Sequence, residues 1–521
     1  MIPESSTGNC KVGCRIEYGR HFGTVKYVGP IEGYPGMWLG IDWDDIERGK
    51  HNGTVNGVYY FDTRHPKSGS FLKVKEGINF GQSLINAIRT RYGQRDNELA
   101  AKFVEQELLV FQQSIRAPFL ECVGFDKVIG KQSDFSSLEV VNVRLQSVSS
   151  IGTPNELCGL CPNIRDIDVS KNLLSCWSDI FLMCSQLEHL FVLNVSENIL
   201  FFPENCEDYV FPNITVLICG YMMLTWSDVI KLSSIFPKVK ELRVPYNNIT
   251  NLMVPVQHHL ICLKVLDLEG NAIRHWTEVN KLSLLLTLEH LILENTKLED
   301  IRFDATFIPS SHFPSLTKLN ITANLINEWR SLAELNKLQK LEYLRCVRNP
   351  VLEPEKWDTS RQLIIAKLEH LKVLNGTTIT SDERRGAEYD YVKKYALEWL
   401  RVKDTSEQEY FLLEHSRYLE LIAKHGFPEE SEIVVQPNIL KSSLIALNFE
   451  YERKIILKKL PPSITIQKLI TLVQKLFQLT ERPTLTYVSG SKSDIVIQLD
   501  NEMKELAYYS IRNGDTITVE I

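Results

Sequence analysis

The sequence predicts a multidomain chain: a small all-β module first, an α/β solenoid of short repeats through the middle, and a small α+β domain at the end. Three observations carry that expectation. A Leu-rich spacing recurs nine times between residues 138 and 351, the first 78 residues are dense in glycine and aromatics, and the last 82 switch from alternating to helical spacing and back. At 521 residues the chain is long enough for three or so domains of about 150 residues.

The N-terminal module is expected over residues 1–78. Short strand-like runs at 24–28 and 38–43 lie among glycines, as in a small β module with tight turns. Within it stands Gly49-Lys50-His51-Asn52-Gly53, preceded by Trp38-Leu39-Gly40-Ile41-Asp42-Trp43 and followed by Tyr60-Phe61 and Gly69-Ser70-Phe71-Leu72-Lys73. Residues 79–137 are expected to form a helical linker and the N-terminal cap of the solenoid.

The solenoid is expected over residues 138–400. Nine matches to L-x-x-L-x-L-x-x-N-x-L begin at Leu138, Ile164, Leu190, Ile214, Val239, Leu263, Leu288, Leu316 and Leu341, in steps of 24 to 28 residues. Their 36 apolar positions would be filled about 16 times by chance at 44% hydrophobic content, yet all are filled, 34 by Val, Ile or Leu and two by Cys219 and Cys346. Asn172, Asn198, Asn247, Asn271, Asn324 and Asn349 occupy the Asn position, with Gln146, Met222 and Thr296 as departures that imply local irregularity. This is a leucine-rich repeat array: one short strand and a return segment per repeat, whose apolar side chains are buried only when neighbours stack. It closes at Leu371-Lys-Val-Leu374-Asn375-Gly376, and the charged helical stretch 381–400 resembles a C-terminal cap.

Alternation across each strand sends the intervening residues to the concave face. That face is expected to carry Asp166, Asp168, Asn194, Glu241, Arg243, Asp267, Glu269, His290, Asn320, Tyr343 and Arg345, an extended binding surface whose partner is not legible from it. Beyond the cap, residues 401–439 are expected to form a short helix and a Pro-bounded linker. In the C-terminal domain, 440–521, strands at 444–449 and 454–458 precede a helix with Ile466, Leu469, Ile470, Val473, Leu476 and Phe477 on one face and Thr465 as N-cap; strands resume at 484–488, 495–499 and 516–521. This order resembles a ubiquitin-like β-grasp fold. The sequence ends at Ile521 without a Gly-Gly tail, so conjugation of the ubiquitin kind is not expected.

Composition narrows the function. Lys+Arg 58 against Asp+Glu 65 leaves a net charge of -7, which disfavours nucleic acid as the main partner. No phosphate-binding Gly-rich loop, HExxH or paired CxxC metal pattern occurs, so no cofactor or metal is expected and the chain is not expected to be an enzyme. Cys158-Gly-Leu-Cys161 has redox spacing but lacks a thioredoxin-like context and is expected to be a pair of packed thiols; Cys10 and Cys14 are expected to be incidental. Eleven cysteines scattered along a long chain, and a polar start without a secretory h-region, point to the cytosol. Residues 209–227 lack charge over about the length of a membrane span, but they hold Pro212 and Gly220 and follow the repeat pattern, so a buried repeat is expected and no membrane.

The Gly49–Gly53 motif and its flanks resemble a CAP-Gly domain, whose signature is GKNDG, with His51 and Asn52 as departures. The resemblance implies binding of acidic-aromatic C-terminal tails such as that of α-tubulin. By position, Trp38 and Phe61 would line a slot for the terminal aromatic, Lys50, His51 and Asn52 would meet the tail, and Lys73 would face its carboxylates. CAP-Gly, leucine-rich repeats and a ubiquitin-like domain in that order, with Cys161-Pro-Asn-Ile164, Leu193-Asn-Val-Ser-Glu-Asn198, Arg348-Asn-Pro350 and Glu383-Arg-Arg385, resemble the tubulin-folding cofactor E family over essentially the whole chain. This implies a non-enzymatic chaperone of the cytoplasm and cytoskeleton. It would bind α-tubulin and act with other tubulin-folding cofactors carrying β-tubulin to assemble and dismantle the heterodimer. The alternative is a microtubule-linked adaptor that delivers tubulin to the ubiquitin-proteasome system through its C-terminal domain, and a thiol oxidoreductase is a distant third.

Overall fold

The computed structural model describes residues 11–74, 77–93, 135–255, 259–303, 313–353, 357–429, 433, 444–452, 454–488, 496–509, 511 and 514–520. The chain divides into two compact units, Met1–Phe427 and Pro428–Ile521.

In the first unit, Arg15–Tyr18, His21–Ile31, Tyr34–Trp43 and Gly69–Lys73 form an antiparallel four-stranded sheet in that spatial order. Ile16, Val25, Leu39, Ile41 and Trp43 make its small core. A core this small is held from one side by ions. The buried Asp42 accepts from Ser68 Oγ at 2.6 Å and Arg64 Nε at 2.7 Å, and Asp44 pairs with Arg15 and Arg64, which together hold its carboxyl below the usual carboxylate range against the opposing effect of burial.

All nine repeats contribute a parallel strand, from Val140–Asn142 to Tyr343–Arg345, and Val373–Leu374 adds a tenth before Thr377–Thr378 turns back. All 36 apolar repeat positions are buried. They fuse into one continuous core that begins in the helix Leu84–Tyr92, which closes the first repeat with Leu84, Ile85, Ala87 and Ile88. The strand Gln82–Ser83 docks beside Val148–Ser150, so the expected cap lies immediately after the β module. The remainder of the expected linker, 94–134, lies outside the described residues.

The Asn positions are wired together. Asn271 Oδ1 accepts from the backbone N–H groups of Asn247 and Ile249 in the preceding repeat, at 3.1 and 3.0 Å, while its Nδ2 donates to the carbonyls of Val244 and Leu268. Asn172, Asn198, Asn247, Asn324 and Asn349 bond in the same manner. One side chain thus satisfies backbone groups from two turns that would otherwise be buried unpaired. The residue just before this position is left-handed in every repeat, from Leu145 at φ 58° to Arg348 at φ 57°, and only Gly270 among them is glycine. Where Thr296 replaces Asn, its hydroxyl donates to Leu293, and Asn324 of the next repeat accepts from its N–H, so the departure stays local as expected.

Several return segments are helices that open on tryptophan, and Trp177, Trp226 and Trp276 are buried. Residues 209–227, the uncharged stretch, form the Val216–Ile218 strand and lead into the Trp226–Ile235 helix of one repeat. Among the described residues no helix is long and apolar enough to cross a membrane. The C-terminal cap helix runs Ser381–Val402, with Thr380 accepting from Glu383 N–H at its start. Where one short helix and a linker are expected there are two helices, Gln408–Glu414 and Tyr418–His425, folded back onto the cap. Phe411, Tyr418 and Leu421 share a core with Tyr391, Val392 and Trp399, and the buried Glu388 carboxylate receives Lys424, His425 and Arg417. The two helices therefore belong to the cap. Helix-period residues do not reveal from sequence which neighbour they cover.

The second unit is a five-stranded sheet in the order Lys454–Leu460, Ile445–Tyr451, Thr516–Glu520, Thr484–Val488, Val496–Gln498, crossed by the helix Ile466–Phe477. Ile466, Leu469, Ile470 and Val473 pack onto Leu447, Phe449, Leu485 and Ile517, and this is a ubiquitin-like β-grasp. Thr465 stands at the N-cap position, although its side chain makes no capping bond.

The amide ladder gives a direct test. Asn271→Ala should destabilise the array by about 2–4 kcal/mol, because it leaves buried N–H and C=O groups unpaired at ~1–3 kcal/mol each, partly relieved by relaxation; Gln146→Ala, at the first repeat, should cost under about 1 kcal/mol. Urea denaturation followed by circular dichroism measures both.

Candidate peptide-binding site

The Gly49–Gly53 loop lies across the end of the Gly69–Lys73 strand. Lys50 and His51 N–H groups donate to the Gly69 carbonyl at 2.7 and 3.2 Å, and Gly69 N–H returns a bond to His51 at 2.9 Å. The glycines are required by close approach. A Cβ on Gly49 would lie 2.2 Å from the Lys67 carbonyl oxygen, and one on Gly53, at φ +92°, would lie 1.7 Å from that of Phe61. The loop is therefore fixed by backbone bonds, and its side chains are set by that frame.

The His51 ring is half-buried against Phe71, with centroids 5.3 Å apart, and edge-on to Phe61. Its Nδ1 accepts from Gly53 N–H at 3.0 Å, which leaves the proton of the neutral ring on Nε2 as a donor. Burial holds its pKa below the usual 6.5. Asn52 is exposed, and its Oδ1 accepts from Thr54 N–H, closing its own turn. Lys50 and Lys73 are exposed, and neither makes an ion pair among the described residues.

Trp38 and Lys73 are direct cross-strand partners, with Tyr34 edge-on to Trp38 at 6.1 Å. Gly36 turns at φ +98°, and a Cβ there would lie 3.4 Å from Lys73 Cε. Phe61, expected to line the slot, is only 4% exposed and lies on Gly40, where a Cβ would come within 2.3 Å of its ring. It packs edge-on against Phe71, and the aromatics left accessible around Lys73 and the loop include the exposed Tyr34 and the half-buried Trp38, Tyr60 and Phe71. Alternation along the Gly69–Lys73 strand is the sequence signal that points to Phe71, since it faces the same side as Lys73.

On the array's face, the expected residues separate by role. Asp168, Asn194, Asp267 and Asn320 each accept the N–H two residues on, at 2.8–3.1 Å, and so cap the turn out of their own strand. Asn194, Arg243, Asp267, Glu269 and Asn320 are at most 9% exposed. Asp166, Glu241 and His290 are half-buried, and Tyr343 and Arg345 are exposed. Crowding by Asp168 adds to burial in raising Asp166 to about 6, and burial with Lys318, Arg243 and Arg345 nearby lowers His290 to about 4. The sequence reading missed the rim, where Tyr221 stacks on Tyr246 at 4.6 Å and 7°, Tyr246 donates to Glu269 at 2.9 Å, and Arg348 pairs with Glu294 at 3.1 Å. Gly270 makes room there, because a Cβ would meet the Tyr246 ring at 2.3 Å. Arg64 of the β module reaches the same rim, with its guanidinium 3.6 Å from Met223 Sδ.

Cys158 and Cys161 are free thiols, and burial pushes Cys161 up to about 11, away from the reactive thiolate. Among the described residues no group of His, Cys, Asp and Glu is placed to hold a metal.

Residues 12–76 match the family model of the CAP-Gly domain, and residues 263–402 match a leucine-rich repeat model. Over its full length the chain is similar to tubulin-specific chaperone E of Xenopus laevis, 37% identical over 530 residues that cover 99% of this chain and 98% of that one. It is also similar to tubulin-specific chaperone E of Homo sapiens, at 37% over 98% of each chain, and to tubulin-folding cofactor E of Arabidopsis thaliana, at 32% over 100% and 99%. The chain belongs to the tubulin-specific chaperone E family. Two solved structures are similar over short stretches. They are the C-terminal ubiquitin-like domain of mouse tubulin-specific chaperone E (33% identity, 15% of this chain and 84% of that one, TM-score 0.14) and the Bik1 CAP-Gly domain with an ETF peptide from Bim1 (37%, 12% and 75%, TM-score 0.11).

His51 should give the module a pH-dependent stability. Its folded pKa lies below the unfolded value, so the stability it contributes is present above about pH 6.5 and is lost as pH falls below that value. Thermal unfolding of the module should weaken between about pH 7 and 5, and His51→Asn should flatten that part of the profile; an unchanged profile would show that His51 is not the titrating group.

Proposed function

We propose that this chain is a non-enzymatic tubulin-folding chaperone which holds α-tubulin at two places, its acidic C-terminal tail on the β module and its folded body on the concave face of the repeats. With other tubulin-folding cofactors carrying β-tubulin it takes part in assembling and dismantling the heterodimer, in the cytoplasm and at the cytoskeleton. Membership of a family whose members are named tubulin-specific chaperones and tubulin-folding cofactors supports the client.

The observation that carries the tail-binding part is the pairing of two uncompensated lysines with open aromatics. Trp38 and Lys73 are cross-strand neighbours, and Lys50 and the His51 Nε2–H stand on a loop fixed by Gly69. An acidic peptide with a terminal aromatic would find donors, cations and ring faces within one small module. The array supplies the second contact through Glu241, His290, Tyr343, Arg345 and the stacked Tyr221 and Tyr246. Two contacts on one chain raise the effective concentration of the second, so each can be modest.

Exposed lysine–carboxylate pairs contribute ~0.2–1 kcal/mol each. Lys50→Ala with Lys73→Ala should therefore weaken an acidic, aromatic-ended tail peptide about 2- to 30-fold in fluorescence anisotropy, with the array's unfolding unchanged. Unaltered affinity would remove tail capture from the proposal. Capture of whole α-tubulin should fall less, because the repeat face is untouched.

A further inference from the structure

The Lys454–Leu460 strand lies at the edge of the β-grasp sheet and is paired on one side only, along its whole seven-residue length, with Ile445–Tyr451. Every second residue of such a strand turns its N–H and C=O outward. Among the described residues nothing bonds to that outer edge. The register is unbroken, with no bulge and no proline inside the strand, so the usual devices that blunt an edge are missing apart from charge.

Ile455 and Leu457 project from this strand on one face and are 62% and 59% exposed. The domain does not use them for its core, which Leu447, Phe449, Leu469, Ile470 and Val473 build on the other side of the sheet. Beside them the outer face turns polar, since Leu457 pairs with Asn448 and then Thr516, and Ile455 with Glu450 and then Thr518. Lys459 follows on the same face as the two apolar side chains, while Lys454 and Lys458 alternate to the other face; all three are exposed and make no ion pair among the described residues. Lysines on an edge repel a second copy of the same edge, yet the same charges attract an acidic strand.

We propose that Lys454–Leu460 is a second peptide-docking site of this chain, which takes an extended acidic segment with alternating apolar residues as an added strand. The peptide's backbone would pair with the open edge, its apolar side chains would cover Ile455 and Leu457 with Lys459 at the end of that row, and its carboxylates, alternating to the other face, would meet Lys454 and Lys458. This site is separate from the N-terminal module.

The test uses the full chain carrying Lys50→Ala and Lys73→Ala, so that the N-terminal module does not take up the acidic probe. The probe is a fluorescein-labelled synthetic peptide of sequence Asp-Val-Glu-Ile-Asp-Val-Glu-Asp, in which apolar and acidic residues alternate, followed by anisotropy. Saturable binding is expected. It should weaken at least tenfold with Lys458→Glu plus Lys459→Glu, with Leu457→Asp, and with a probe N-methylated at alternate amides. Amide exchange of residues 454–460 should slow in the complex. If Leu457→Asp unfolds the domain, Lys458→Gln plus Lys459→Gln, which alters only exposed side chains, carries the same expectation. Absence of binding would mean that the lysines merely guard the edge, and equal binding by the N-methylated probe or the lysine variants would exclude strand addition; either result overturns the proposal.

Discussion

The buried asparagine amide on which the array depends is small and repeated. A solenoid turn must leave its strand sharply, and here it does so through a left-handed residue in every repeat, a conformation that costs L-residues roughly 1–2 kcal/mol. The next side chain compensates: one carboxamide, sealed from water, accepts N–H groups from the preceding repeat and donates to carbonyls on both sides. Each of the six amides therefore ties its own turn to that of the preceding repeat. The hydrophobic layer beneath supplies most of the favourable free energy, and the amides fix the register in which it is buried.

From that rigid frame the rest of the first unit follows. Its open ends are closed by different means, a short apolar helix before the first repeat and a three-helix cap after the last, where Glu388 is surrounded by cations. The turns out of the strands also occupy several polar residues of the concave face. Asp168, Asn194, Asp267 and Asn320 have a side-chain oxygen engaged in their own turns, whereas Tyr343 and Arg345 are exposed. The β module solves a related problem with glycine, since Gly49 and Gly53 let backbone press on backbone and leave Lys50, Asn52 and the outer edge of His51 facing outward.

The sequence by itself determined the three architectures, the nine repeats, the 36 buried positions and the site loop. In each case the reason is that local spacing and tight steric requirements specify them: a period, a glycine where no Cβ fits, an amide where a turn needs one. Only the tertiary structure decided which of those residues are exposed and which are occupied by their own fold. Phe61 matches its motif position yet lies under Gly40, and Asp168 alternates toward the concave face yet caps its own turn. Whether a second helix caps the array or links it, and which strands lie at the edges of the β-grasp sheet, were likewise settled by contacts between residues far apart in the chain. Exposure is a property of everything that packs around a residue, and a one-dimensional pattern carries only its own half of that contact.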